Sequence, residues 1–126
     1  MAAGEVYKIY VAYDKKSNDG KERYVVQLGK TQIEIGVSMS SITSQYDEKS
    51  EFVKEQYYEI KDWQQAGLKK KSYVDIRSKT TFTFVEVLRL GKCVGELTAK
   101  DMFGLMDFIK SYGLRIQAIR DKQKAR

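Results

Sequence analysis

RYVVQLGKTQIEIGVSMSSITS, residues 23–44, holds two apolar runs rich in β-branched residues, with Gly29-Lys30 between them. Val, Ile and Tyr fit a pleated, half-buried surface better than a helix. In the second run Ile33, Ile35 and Val37 recur at period two, the spacing of a strand with one buried face. RYVVQLG (23–29) and TQIEIGVSM (31–39) therefore read as antiparallel neighbours joined by a tight turn at Gly29-Lys30. Upstream, VYKIYVAY (6–13) has the same composition, and KSNDGKE (16–22), with Asp19-Gly20, reads as the turn that makes it a hairpin with the second strand.

Downstream the pattern becomes mixed. SSITSQY (40–46) carries five hydroxyl side chains in seven positions, and DEKSEFVKEQ after it is too charged for a core strand. YYEI (57–60) is a short strand, and Asp62 is placed to cap one helical turn, WQQAG, ending at Gly67. SYVDIRS (72–78) and TTFTFVEVLRLG (80–91) read as two further strands, the latter bent because Phe82, Phe84 and Val85 break alternation. Thr98 and Asp101 resemble a capping box. Ala99, Met102, Phe103, Met106 and Ile109 follow at helical spacing, with Gly113 as a stop. Leu114, Ala118 and Ile119 leave a thin stripe for another short helix in the tail. About six short strands and a late helix define a mostly β, α+β chain, expected to curl into a small antiparallel barrel with a C-terminal helix.

Composition narrows the chemistry. The 126 residues suit one domain, 1–126, with residues 115–126 as a basic tail. A hydrophobic share of 42% with 32% charge fits a globular chain, and no apolar run reaches the roughly 18 residues of a membrane span. MAAGEVYK lacks the basic-then-apolar order of a signal peptide, and the single Cys93 cannot form an internal disulfide; both favour the cytoplasm. Cys93 itself reads as a small buried hydrophobe. Having no histidine, the chain lacks imidazole acid–base chemistry, a serine-hydrolase triad and the usual zinc ligands. It also has no proline, so turns fall to Gly, Asn, Asp and Ser.

The net charge of +6 is uneven. Residues 115–126 hold five bases against one acid, residues 69–79 (KKKSYVDIRSK) the same, and residues 46–62 six acids against three bases. Each run is a solvated face by default, but two basic segments in one small domain also suit a polyanion groove. Arg23 opens the second strand, and its guanidinium is shaped for bidentate phosphate contact. The hydroxyls of 40–46 are turn-formers by default. Asp47-Glu48 and Glu51/Glu55 lie in a charged surface stretch, and no metal site is expected from them. Tyr57, Tyr58 and Trp63 are candidates for base stacking, although alternation turns one of the two tyrosines inward.

Five motifs in order resemble the MazF/PemK (Kid-like) toxin endoribonucleases: GEVYKIYVAY, KERYVV, SSITS, AGLKKKSYVDI and GELTAKDMFGLMDFI, from residue 4 to about 112. The resemblance implies an SH3-like barrel, a homodimer, a cognate antitoxin, and cleavage of single-stranded RNA (mRNA) that needs neither metal nor cofactor. By position it assigns Arg23 as the catalytic arginine and Thr43 as the catalytic hydroxyl, with Ser44 as the neighbouring alternative, and Ser44, Lys21 and Gln45 as substrate contacts. Tyr24 and Lys71 stand where the family has proline, and Glu22 where it has a second base. Two other readings stay open beside the nuclease: a catalytically inactive SH3-like protein-binding module of the same lineage, and a basic nucleic-acid-binding regulator.

Overall fold

The computed structural model describes residues 3–12, 20–30 and 36–124. Its elements run β1 (Glu5–Ala12), β2 (Gly20–Lys30), β3 (Gly36–Thr43), α1 (Glu51–Lys54), β4 (Tyr57–Glu59), β5 (Tyr73–Thr83), α2 (Phe84–Leu90), β6 (Lys92–Glu96), α3 (Ala99–Lys110) and α4 (Tyr112–Lys124). The fold is mostly β, α+β, with a six-stranded antiparallel sheet in the order β4-β5-β3-β2-β1-β6. The turn expected around Asp19 and the residues Ile33 and Ile35 lie outside the described residues. Gly29 and Lys30 do not form a turn: β2 continues through both, paired with Ser38 and Val37. A register shift between Gln27 and Gly29 absorbs the glycine inside the ladder.

Successive strand residues point to opposite faces, so Val25-Val26 and Val6-Tyr7 each supply two cores. Val6, Val26, Ile42, Val74, Ile60 and Leu105 belong to the first, covered by α3 and the segment after β4. Tyr7, Ile9, Val25, Met39, Phe82 and Val87 form the second, covered by α2. Met39 and Ser40, neighbours on β3, are both buried, so β3 has two covered faces rather than one. Burying each large aliphatic side chain contributes about 1.5–3 kcal/mol.

Further register shifts, between Val6 and Tyr7 and between Ser40 and Ile42, bend the sheet. Its β6 edge approaches the turn that follows β4 through backbone. A Cβ on Gly95 of β6 would fall 2.2 Å from the Ala66 carbonyl oxygen, and one on Gly67 2.1 Å from that of Val94. Gly67 also has φ +85°, which ends the turn over residues 61–67 in a conformation glycine adopts without strain. In that turn the Asp62 carbonyl accepts the Ala66 N–H, as a helical turn requires. No ladder joins β4 to β6, so the sheet curls without closing.

Residues 72–91 depart from the expected pair of strands. SYVDIRS and TTFT form one strand, β5, and FVEVLRL is the helix α2. Thr83 Oγ1 accepts the Glu86 N–H at 3.1 Å, and Glu86 Oε1 accepts the Thr83 N–H at 2.9 Å. This reciprocal cap outweighs the β-propensity of Phe-Val-Glu-Val, and burial of Val87 docks the helix. In α3, Thr98 caps the Asp101 N–H as expected. The apolar stripe is rotated, however. Leu105 is its buried residue, Met102, Met106 and Ile109 pack around it, Ala99 is exposed and Phe103 is 74% exposed. The buried Asp101 sets that phase, because its carboxylate points inward to Tyr58, Lys61 and Asp62.

Gly113 is not the stop. Ser111 caps α3, and Gly113 lies inside α4. Arg115 pins α4 by donating to the Phe108 carbonyl at 2.6 Å and the Glu55 carbonyl at 3.0 Å, with its guanidinium 3.6 Å from the Phe108 ring centre. Ile116 and Ile119 are the buried residues of α4, while Leu114 is exposed. Cys93 is exposed, not buried, because β6 is an edge strand with few covered positions.

Candidate functional site

The β2–β3 ladder ends at the pair Tyr24–Ile42. One residue beyond it on each strand, Arg23 and Thr43 no longer pair across β2–β3 and are held instead by their outer neighbours, Arg23 opposite Ile9 of β1 and Thr43 opposite Tyr73 of β5. With the segments 44–45 and 68–72 they line a cleft of about 380 Å³. Its walls are Glu22, Arg23, Tyr24, Ile42, Thr43, Ser44, Gln45, Leu68, Lys69, Lys70 and Ser72. Of the residues expected from sequence, Arg23, Thr43, Ser44 and Gln45 therefore meet. Lys21 lies on β2 opposite Val11, and its side chain falls outside what the structure describes.

The hydroxyl cluster divides by register. Ser40 is buried, and Ser41 bonds the Ser78 hydroxyl at 2.9 Å. Thr43 Oγ1 accepts the Gln45 N–H at 3.1 Å in a local turn, and Ser44 is exposed in the cleft. A hydroxyl that accepts from an amide keeps its own O–H free to donate. Thr43 is thus held in one orientation while its donor remains usable.

Charge in the cleft is one-sided. Arg23 is half-buried and, among the described residues, has no carboxylate partner. Its neighbour Glu22 pairs instead with Lys8 at 3.1 Å, and that bond raises the Lys8 pKa. Lys69 and Lys70 add positive charge from the 68–72 wall. Lys71 is diverted to Glu59 at 3.2 Å; hydrogen bonds from Lys61 and Lys71 hold the Glu59 carboxyl below its ordinary pKa. Arg77 is likewise taken by Asp75. Of the basic run 69–79, Lys69 and Lys70 therefore line the cleft, while Lys71 and Arg77 are engaged by carboxylates. Among the described residues the basic tail lines no part of this cleft: Arg115 and Lys122 reach back to Glu55 and Glu51. These two acids of the 46–62 segment serve the α1–α4 contact.

Tyr57 and Tyr58 are both buried, so neither offers a stacking face. Tyr57 packs against Tyr46 and Tyr73, and the Tyr58 hydroxyl donates to Asp101 at 2.8 Å. Trp63 packs partly buried against the first core. Ser72, Lys69, Lys70 and Tyr24 are cleft residues not singled out as site residues from sequence. Tyr24 keeps its amide in the central strand β2, between β1 and β3, where proline could not donate. Ser72 Oγ donates to the Lys70 carbonyl at 2.8 Å and shapes that wall.

A scan against protein-family models finds no match, and a search of curated proteins finds none either.

Proposed function

We propose that the chain is a metal-independent endoribonuclease of the MazF/PemK type, the toxin half of a toxin–antitoxin pair, acting on single-stranded RNA. The observation that carries this reading is that Arg23 and Thr43, twenty positions apart, line one open cleft with Ser44 and Gln45. Sequence resemblance supplies the roles, and the geometry is compatible with them. RNA brings its own nucleophile in the 2′-hydroxyl. Attack on phosphorus forms the 2′-O–P bond and breaks the P–O5′ bond. The 2′-hydroxyl proton is lost, the departing 5′-oxygen takes one up, and the products are a 2′,3′-cyclic phosphate and a 5′-hydroxyl end.

The protein's part in this scheme is alignment and charge stabilisation. Arg23 holds the phosphate oxygens with fixed donors; being always protonated, it is no general base. The turn-held Thr43 hydroxyl donates to a phosphate oxygen or orients the 2′-hydroxyl. Ser44 and Gln45 contact flanking groups, as does Lys21. The proposal takes the open sheet, whose β6 edge meets the turn after β4 at Gly95 and Gly67, as an unclosed form of the SH3-like barrel that the resemblance implies. The proposal extends to a homodimer and to an acidic antitoxin segment that blocks the basic cleft. Among the described residues no helix is long and apolar enough to cross a membrane; a cytoplasmic location is part of the proposal.

The test is purified protein with single-stranded RNA in excess EDTA. Cleavage is expected, and Arg23→Ala is expected to abolish it. Intact RNA at high protein concentration, or equal cleavage by the variant, overturns the reading. The inactive binding module is favoured by Glu22 in the cleft wall, where the family has a second base. It predicts tight capture of a small acidic protein and no cleavage.

A further inference from the structure

A second depression, about 580 Å³, opens beside the first and shares Glu22, Tyr24 and Lys69 with it as a common wall. Its other side is built by Lys8 from β1, Arg89 from the last turn of α2 and Lys92 from the start of β6. Among the described residues Glu22 is the one carboxylate in its lining, and that charge is already matched by Lys8 at 3.1 Å. Among the described residues Lys69, Arg89 and Lys92 have no acidic partner, whereas Lys61, Lys71, Arg77, Arg115 and Lys122 are each paired with Asp or Glu. Three of the bases without an acidic partner thus meet where the depressions join: Lys69 from the segment after β4, and Arg89 and Lys92 from the α2–β6 corner about twenty positions on.

We propose that this second depression is a phosphate-backbone subsite for single-stranded RNA, continuous with the Arg23–Thr43 cleft. It rests on the nuclease reading for the direction of the strand across Tyr24, but binding is testable without cleavage. Each depression falls within the roughly 300–1,000 Å³ of a small-ligand pocket, so each accommodates a nucleotide-sized group. A single strand supplies phosphates at regular intervals along such a track, and unpaired Lys and Arg are their sequence-independent partners. An acidic protein segment would also favour positive charge. RNA is preferred because the track runs from the cleft where the scissile phosphate is proposed to lie.

The probe is a fluorescein-labelled 2′-O-methyl RNA of about ten nucleotides, within the ~4–16 that small β folds cover. It cannot supply the attacking 2′-hydroxyl, so binding is read apart from chemistry. Anisotropy titrations across a salt series compare the unaltered protein, Arg89→Gln/Lys92→Gln, and Lys100→Gln/Lys110→Gln on exposed α3 positions outside both depressions. Loss of two phosphate contacts is expected to flatten the log Kd–log salt slope by about 1.4 in the first variant and by nothing in the second. If the first does not fold, as judged by circular dichroism, Lys92→Gln alone is expected to flatten it by about 0.7. An unchanged slope overturns the proposal, as does failure of the unaltered protein to bind the probe. Loss of affinity for a poly-glutamate peptide with the RNA slope intact also overturns it, in favour of a protein partner. The nuclease reading fails separately: an Arg23→Ala protein that still cleaves unmodified RNA removes that reading and leaves the slope to decide the subsite.

Discussion

Replacing Asp101 with alanine is expected to destabilise the protein by about 3 kcal/mol or more, because three hydrogen-bond donors lose their acceptor. The carboxylate is fully buried and accepts from Tyr58 Oη at 2.8 Å and from the backbone N–H groups of Lys61 and Asp62 at 2.9 Å each. Removing it leaves those three donors without their acceptor, and each unsatisfied donor costs about 1–3 kcal/mol, less where water enters the space. The substitution also frees α3 from the turn over residues 61–67, whose backbone lies against β6. Tyr58→Phe removes only one bond and is expected to cost about 1 kcal/mol. Asp101→Asn is the sharper comparison. Its amide oxygen can still accept from Tyr58 and Lys61, but its NH₂ then faces the Asp62 N–H, donor against donor. It should therefore fall well below Tyr58→Phe in stability despite its closer shape. Urea denaturation with all four proteins gives the ordering directly, provided the slopes agree. If Asp101→Ala loses less than about 1 kcal/mol, or Asp101→Asn is as stable as the parent, the carboxylate is not the organiser of this corner.

Other consequences are more local. Gly95→Ala is expected to destabilise strongly, because its Cβ would lie 2.2 Å from the Ala66 carbonyl oxygen, whereas Gly29→Ala meets nothing within 4 Å; their melting temperatures should separate clearly. Thr43→Val, which keeps the branched shape and removes the hydroxyl, is expected to lower RNA cleavage about 10²–10³-fold, the effect of deleting one transition-state donor; Thr43→Ser should retain most activity in the same assay. Burial pushes the Tyr7 phenol up to about 12, and burial with the Asp101 bond pushes Tyr58 further in the same direction. A folded pKa above the unfolded value of about 10 means stability fully present below that pH and lost as pH rises through the folded value. Ultraviolet titration of the nine tyrosines should show a late-ionising class that Tyr7→Phe and Tyr58→Phe each reduce by one.

Much of the site was legible before the fold was known, but not its completeness. Arg23, Thr43 and Ser44 came from motif positions and Gln45 from the position after, and they meet because the β2–β3 ladder ends at Tyr24–Ile42, beside both Arg23 and Thr43. Lys69 and Lys70 sit in a basic run that composition revealed, but composition does not tell which lysines a carboxylate will claim; Glu59 claims Lys71. Residues 80–91 read as a strand from their β-rich composition, and helix α2 forms there because Thr83 and Glu86 cap it at a spacing that reading passed over. Phe103 fits helical periodicity as well as Leu105 does, and only the inward carboxylate at 101 settles which side of α3 faces the sheet.

The sequence by itself determined the mostly β character, the late α3 helix and the exclusion of histidine chemistry, because strand period, caps and residue inventory are properties of neighbours and of content. The tertiary structure alone decided which distant groups face each other: Asp101 with Tyr58 forty-three positions away, Gly95 against Ala66, and Arg89 and Lys92 beside Lys69. Those meetings depend on strand register and on the bulges that bend the sheet. A one-residue slip would turn each strand side chain to the other face, and with it the charge that lines the cleft.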